Sequence, residues 1–434
     1  MNTIALKREN KGPVDYTFTV PGSKSYTNRA LVMAACASGR STLTRASPSR
    51  DSEALIAALR LIGIRIDTPG NRTIEIYGSG GRFQTYNGGI DVGPAGTTMR
   101  FLTALCSTIK GAAITLKGSE RMHQRPIMAL VDTLRQAGAI IDYLGLPGCP
   151  PLRIRTERAL SGQKLEIDGS TSSQFLSAIL LISPLLEGGL DLSVEGHATS
   201  TSYIDMTLQG MREFGVTATN ESYKRISVQA GQSYQPREYK VEGDASGASY
   251  LWAIAAISGG SITVQNINPF SMQGDIQFPA LLERMGCSVS QGDNAITVSG
   301  TGELRAIEAD MELMPDTAQT LAVVAAYAKG DTIIKGLKTL RVKETDRIAA
   351  LHNELAKLGI SSTPGPDYII VRGGRPSGAA RIATYEDHRM AMSFAVCAAV
   401  TDGIEIQEPG VVDKSFPDFW KTLDLIEIRS EAVE

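Results

Sequence analysis

Six short polar or glycine-rich segments each open an alanine-rich apolar run, and they recur at a nearly constant interval. They are Gly22-Ser23-Lys24-Ser25, Gly93-Pro94-Ala95-Gly96-Thr97, Gly169-Ser170-Thr171-Ser172-Ser173, Gly243-Asp244-Ala245-Ser246, Pro315-Asp316-Thr317 and Asp387-His388-Arg389. Their starts are 71, 76, 74, 72 and 72 residues apart in a chain of 434. So even a spacing restricts the fold to one supersecondary unit used six times, each burying its apolar face against its neighbours. A second helical pattern follows within the unit, at 54–61, 130–137, 206–214, 281–285 and 348–358. Each of these ends at a glycine (Gly63, Gly138, Gly215, Gly286, Gly359), which reads as a C-terminal cap. An alternating strand comes next, as in Ile64-Arg65-Ile66-Asp67.

Runs such as Ala30-Leu31-Val32-Met33-Ala34-Ala35 and Leu321-Ala322-Val323-Val324-Ala325-Ala326 are apolar on every side, so as helices they must be buried. The expected α/β layering is therefore inverted, with helices inside and sheets outside. Six units suggest two domains of three. The first is expected over 21–239. The second is expected to be discontinuous, 1–20 plus 240–434, with the N-terminal segment pairing with the last unit.

Composition narrows the function classes. With 43 Lys+Arg against 46 Asp+Glu, the net charge of -3 argues against a nucleic-acid partner held by a broad basic surface. A local basic pocket for a small anion remains open. Five cysteines without a CxxC pair argue against a disulfide framework, and four histidines without HExxH argue against zinc. The longest apolar stretch, 175–186, is interrupted by Ser183 and Pro184 and is too short to span a bilayer. The start lacks the apolar core of a signal peptide. The expectation is a cytoplasmic monomer without a membrane partner.

Charge and hydroxyl groups collect where helices begin, and free N–H groups make a helix start a natural anion site. Lys24, Ser25 and Arg29 stand at one start, Gly96 and Arg100 at the next, and Ser172, Ser173 and Gln174 at a third. Capping accounts for the serines and for Asp316 about as well as ligand binding does. Arg121 and Arg125 precede the 127–137 pattern, where cations oppose the helix dipole unless an anion is bound. In Arg341-Val342-Lys343-Glu344-Thr345-Asp346-Arg347, helical periodicity sets Lys343 and Arg347 on one flank and aims Glu344 along Leu351, Leu355 and Leu358. A carboxylate on the packed side is costly unless it is partnered or used chemically. Arg389 and Lys414 complete the set.

Eight segments carry a family resemblance: PGSKSYTNRAL (21–31), PAGTTMR (94–100), SERMHQRP (119–126), DGSTSSQFL (168–176), MPDTAQT (314–320), RVKETDRI (341–348), YEDHRMAM (385–392) and DKSFPDF (413–419). In this order they resemble the EPSP synthase family of enolpyruvyl transferases across nearly the whole chain. The resemblance implies two inside-out α/β domains, each of three βαβαββ-like units, with the active site in the cleft between them. It implies transfer of the enolpyruvyl group of phosphoenolpyruvate to the 5-hydroxyl of 3-phosphoshikimate, with release of phosphate and no metal or redox cofactor.

Carried over by position, Ser172, Ser173 and Ser200 hold the shikimate phosphate. Lys24, Ser25, Arg29, Gln174, Tyr203, Asp316 and Lys343 surround the ring. Lys24, Gly96, Arg121, Gln174, Arg347, Arg389 and Lys414 hold phosphoenolpyruvate. Asp316 is the implied base, and Glu344 with Lys24 handles the proton at the methylene carbon. Glyphosate is the implied inhibitor, lying against Gly96. The chain departs from the family at Pro94 and Thr339, where asparagine is usual. Two other readings are the sister enzyme acting on UDP-N-acetylglucosamine and a non-catalytic binder of phosphorylated metabolites. The Ser25 that follows Lys24 and the lack of Cys in 111–130 speak against the first. The Asp316/Glu344 pair speaks against the second, because carboxylates beside bound polyanions weaken pure binding.

Overall fold

The computed structural model describes residues 3–433. They form six four-stranded sheets and one two-stranded sheet around two groups of buried helices. The second repeat displays the unit most plainly. Strand Asn87–Asp91 leads to helix Gly96–Cys106, strand Ala113–Lys117, helix Met128–Ala137, and strands Ile140–Tyr143 and Leu152–Arg155. The first two strands pair in parallel; Leu152–Arg155 then pairs antiparallel with Ala113–Lys117 and with Ile140–Tyr143. All six four-stranded sheets keep this arrangement, one parallel pair at an edge followed by two antiparallel pairs.

The inverted layering follows from the side chains. Every residue of helix Ala245–Ser258 except Ser258 is buried, and Lys24–Cys36 buries all but its first two. Alanines such as Ala30, Ala34, Ala253 and Ala256 leave no polar face to turn to water. The strands, by contrast, alternate: Ile114 and Leu116, or Leu152 and Ile154, point inward while their neighbours face outward. In five repeats the second helix is followed by the expected glycine at positive φ, from 74° at Gly359 to 115° at Gly286. The sixth, Phe419–Asp424, is followed by Glu427 at φ 64°, a residue with a Cβ in the left-handed region.

The chain divides into two compact units, Gly22–Val241 and the residues up to Pro21 joined with Glu242 onward. Each has its own apolar core. The three sheets of Gly22–Val241 are complete within it, because Glu238–Lys240 returns to pair in parallel with Ser38–Thr44 of the first repeat. The other unit borrows two strands from the N-terminal segment. Tyr16–Thr19 pairs in parallel with Ser261–Gln265, and Thr3–Lys7 lies between Ile404–Gln407 and Arg429–Val433. Arg8 and Lys11 fasten this segment by donating to the carbonyls of Ala399 and Ala398, at 3.0 and 3.1 Å. No helix among the described residues is long and apolar enough to cross a membrane.

Candidate active site

In Gly22–Val241 the starts of three buried helices carry the polar residues. Ser23 caps Lys24–Cys36, its side chain accepting from Tyr26 N, which leaves Lys24 in the first turn. Lys24 Nζ lies 3.3 Å from Oδ2 of the buried Asp51. Arg29, on the same helix, is wholly buried. Its guanidinium donates to Thr207 Oγ1 (2.8 Å), Ser25 O (3.0 Å), Ser177 Oγ (3.1 Å) and Tyr203 O (3.0 Å), and it lies near the rings of Phe101 and Tyr203. These hydrogen-bond partners are all neutral oxygens, and burial pushes the guanidinium down to about 10. A buried cation compensated only by dipoles is a favourable neighbour for an anion.

The third helix start adds hydroxyls and an amide. Ser172 caps Ser173–Ile182 by accepting from Gln174 N at 3.3 Å, so its own hydroxyl hydrogen stays available. Gln174 Nε2 donates to Thr97 Oγ1 at 3.3 Å and draws the second and third starts together. Ser200 has φ 52°, a strained conformation for a non-glycine residue, immediately before the helix Ser202–Glu213 that carries Tyr203. At Gly96, which opens the second helix, the space a Cβ would enter is taken by another cation. That Cβ would stand 2.6 Å from Nη1 of the buried Arg125. Arg121 is half-buried and donates to Gln124 Oε1 at 3.3 Å. The guanidinium nearest that Cβ position is that of Arg125.

In the other unit the candidate residues form a chain of alternating charge. Lys414 Nζ lies 2.6 Å from Glu344 Oε1, and Glu344 Oε2 is 3.0 Å from Arg347 Nη2. Arg347 Nη1 is 3.2 Å from Asp316 Oδ1, and Asp316 Oδ2 is 2.6 Å from Arg389 Nη2. Asp387 grips Arg347 from behind at 2.7 and 3.3 Å and caps its own helix by accepting from Arg389 N at 2.9 Å. Burial by itself would lower the Arg347 pKa, but Asp387, Glu344 and Asp316 together hold it above the ordinary value. Arg389 also donates to Tyr250 at 3.2 Å, and burial pushes that phenol up to about 12. Three cations and three carboxylates thus balance, already withdrawn from water.

One local expectation fails. The helix begins at Arg347, capped by Asp346, whose side chain accepts from Ala349 N at 3.2 Å. Lys343 and Glu344 precede it, after the 3₁₀ turn Lys338–Val342, so the helical wheel that set Lys343 beside Arg347 does not apply. Glu344 is nonetheless nearly buried, and its place is set by Arg347 and Lys414. Lys343 stands half-buried just after that turn, whereas Asp316, Glu344, Arg347, Arg389 and Lys414 are brought together. Asp316 is no N-cap, since Thr317 holds that position and Asp316 turns to the guanidiniums. Thr339, where the family usually has asparagine, is buried and its hydroxyl has no hydrogen-bond partner.

Sequence reasoning left out Asp51, Arg125 and Asp387 as site residues. Asp387 and Arg125 lie inside segments already singled out, so their signal was present. Asp51 sits 27 positions beyond Lys24 in a different helix, and only the fold pairs them.

Comparison with known proteins agrees with these features. The family model described as EPSP synthase (3-phosphoshikimate 1-carboxyvinyltransferase) matches residues 9–423. A 3-phosphoshikimate 1-carboxyvinyltransferase of Sulfurovum sp. (strain NBC37-1) is 42% identical over 431 residues, covering 98% of this chain and 99% of that protein. One from Cronobacter sakazakii (strain ATCC BAA-894) is 44% identical over 414 residues, covering 94% and 96%. Among solved structures, an EPSP synthase from Acinetobacter baumannii superposes with a TM-score of 0.83 at 28% identity, covering 100% of both chains. On the match of family model, relatives and fold across nearly its full length, this chain belongs to the EPSP synthase (3-phosphoshikimate 1-carboxyvinyltransferase) family.

Proposed function

We propose that the protein transfers the enolpyruvyl group of phosphoenolpyruvate to the 5-hydroxyl of 3-phosphoshikimate, releasing phosphate. The observation that carries the reading is the chain Lys414–Glu344–Arg347–Asp316–Arg389, in which two carboxylates are oriented by three desolvated cations. Cations in a water-poor site bind an anionic substrate more strongly than the same groups in water. Phosphoenolpyruvate takes up Lys24, Gly96, Arg121, Gln174, Arg347, Arg389 and Lys414. The phosphate of 3-phosphoshikimate takes Ser172, Ser173 and Ser200. Its ring meets Ser25, Arg29, Tyr203 and Lys343.

The chemistry is addition followed by elimination. Asp316 accepts the proton of the 5-hydroxyl as the hydroxyl oxygen attacks C2 of phosphoenolpyruvate, while the Lys24 ammonium, with Glu344 as its partner in the proton traffic, supplies a proton to the methylene carbon. A proton of the resulting methyl group then passes back to Lys24 and Glu344 as the C2–O bond to phosphate breaks. The protein acts in the cytoplasm as a monomer on these two small molecules, without a nucleic-acid or membrane partner. The test is phosphate release with both substrates present, with either omitted, and with UDP-N-acetylglucosamine as the alternative acceptor. Release only with 3-phosphoshikimate is expected. No release with the full pair, or release with the sugar nucleotide, overturns the reading.

A further inference from the structure

Asp275 lies outside the alternating-charge chain yet beside it. It is buried in the 3₁₀ turn Gly274–Gln277, which packs on helix Ala245–Ser258 and on the turn Pro315–Thr317 that carries Asp316. Ser246 donates its hydroxyl to Oδ2. Oδ1 is buried with no hydrogen-bond partner. An ionised carboxylate would leave that oxygen charged and dehydrated, whereas a carboxylic acid leaves it neutral. The charged surroundings divide. Asp316 and Asp244 oppose ionisation, while Arg389 favours it. Tyr250, on the helix packed against the turn, is neutral, and Glu242 lies against Gln273 next to it. Glu283 and Arg284, on the adjoining helix Phe278–Arg284, are exposed. Burial first, then Asp316, pushes the Asp275 carboxyl up to about 7.

We infer that Asp275 is a positioning residue whose protonated form leaves Arg389 to Asp316 and the anionic substrate, and whose ionised form competes for Arg389. It touches neither reacting atom in this scheme. It acts through Arg389, and its substrate rests on the function proposed above.

Two variants test the inference. In the wild type, KM for phosphoenolpyruvate should rise several-fold between about pH 6 and pH 8.5 and then level off once the carboxyl is fully ionised. Asp275→Asn keeps the shape without the charge and should remove that rise, so the ratio of the two KM values grows with pH. Comparing proteins on one substrate cancels the titration of phosphoenolpyruvate itself. Ser246→Ala removes the donor that favours the ionised form and should move the rise to higher pH. Superimposable profiles for all three overturn the inference.

A second measurement needs no turnover. A carboxyl whose folded pKa is raised binds its proton more tightly when folded. Wild-type stability therefore falls as pH climbs from the ordinary carboxylate range to about 7 and is then flat. The stability of Asp275→Asn relative to wild type should increase over the same window, measured by urea unfolding. A constant difference overturns the inference even in a protein with no transferase activity. Failure of turnover in every protein would instead remove the proposed reaction and leave this arm to decide Asp275.

Discussion

Arg347 is among the largest fully buried side chains of the molecule and also the hinge of its candidate chemistry, because Asp316 and Glu344 both bind it. Its carboxylates can therefore be tested one at a time. Asp316→Asn keeps the size and one hydrogen-bond acceptor but cannot take a proton. Turnover should fall by about a hundredfold or more, the scale of one general base, with 3-phosphoshikimate binding retained. Near-normal turnover in a folded variant would remove Asp316 from that role. For Glu344→Gln, kcat should fall more than the affinity for either substrate, and a pure KM effect would make it a binding residue. Arg121 gives a sharper test. Arg121→Ala should raise KM for phosphoenolpyruvate about ten- to a hundredfold, the worth of a charge-assisted contact. An unchanged KM in a folded variant would remove Arg121 from the anion site. An alanine at Gly96 would press on Arg125, so phosphoenolpyruvate and glyphosate should both weaken there.

Elements were legible where one repeat could be read against the others. Five glycines after the second helix announced five left-handed caps, and all five have positive φ. The sixth position carries Glu427 in the same conformation, a departure visible only once the repeat is laid on coordinates. The left-handed region costs an L-residue about 1–2 kcal/mol, and glycine loses about 0.5–1 kcal/mol of that advantage through unfolded-state entropy. Glu427→Gly should therefore raise stability by up to about 1 kcal/mol, less the attraction Glu427 exerts on Arg8. A lower urea midpoint would contradict this. What the sequence hid was the start of the helix at Arg347. Apolar periodicity runs back through Glu344, but Asp346 offers its carboxylate to a free N–H, and the cap won over the periodicity. Asp51 was hidden for another reason: nothing in a linear sequence brings the first turns of two separate helices side by side.

At the scale of the molecule, the sixfold period and the all-apolar helices were enough to anticipate six repeated helix–strand units with helices inside, while the βαβαββ order came with the family resemblance. The borrowed strands were less legible, since Thr3–Lys7 and Tyr16–Thr19 are short and their partners lie hundreds of residues away. They make the two units unequal in autonomy. A fragment spanning Gly22–Val241 has all its strands and its own core, so it should unfold cooperatively by itself. A fragment from Glu242 onward lacks a strand in each of two sheets and should be loosely folded until a peptide of residues 1–21 is added. Circular dichroism and hydrogen exchange on the two fragments check both statements. Equal protection in the second fragment with and without the peptide would show that those strands are dispensable.

The strand Thr3–Lys7 is held against Arg429–Val433, so a segment is paired with one made hundreds of residues after it. Translation proceeds at about 5–20 residues per second, which leaves that strand without its sheet for on the order of tens of seconds while the rest is made. The Gly22–Val241 unit is completed during this interval, from a contiguous stretch that has already emerged. The order of assembly in the cell is thereby written into the connectivity. The inserted unit comes first, and the outer one must close around a strand kept waiting, its polar edge hydrogen-bonded to water or sheltered by a chaperone until its partner strand is made.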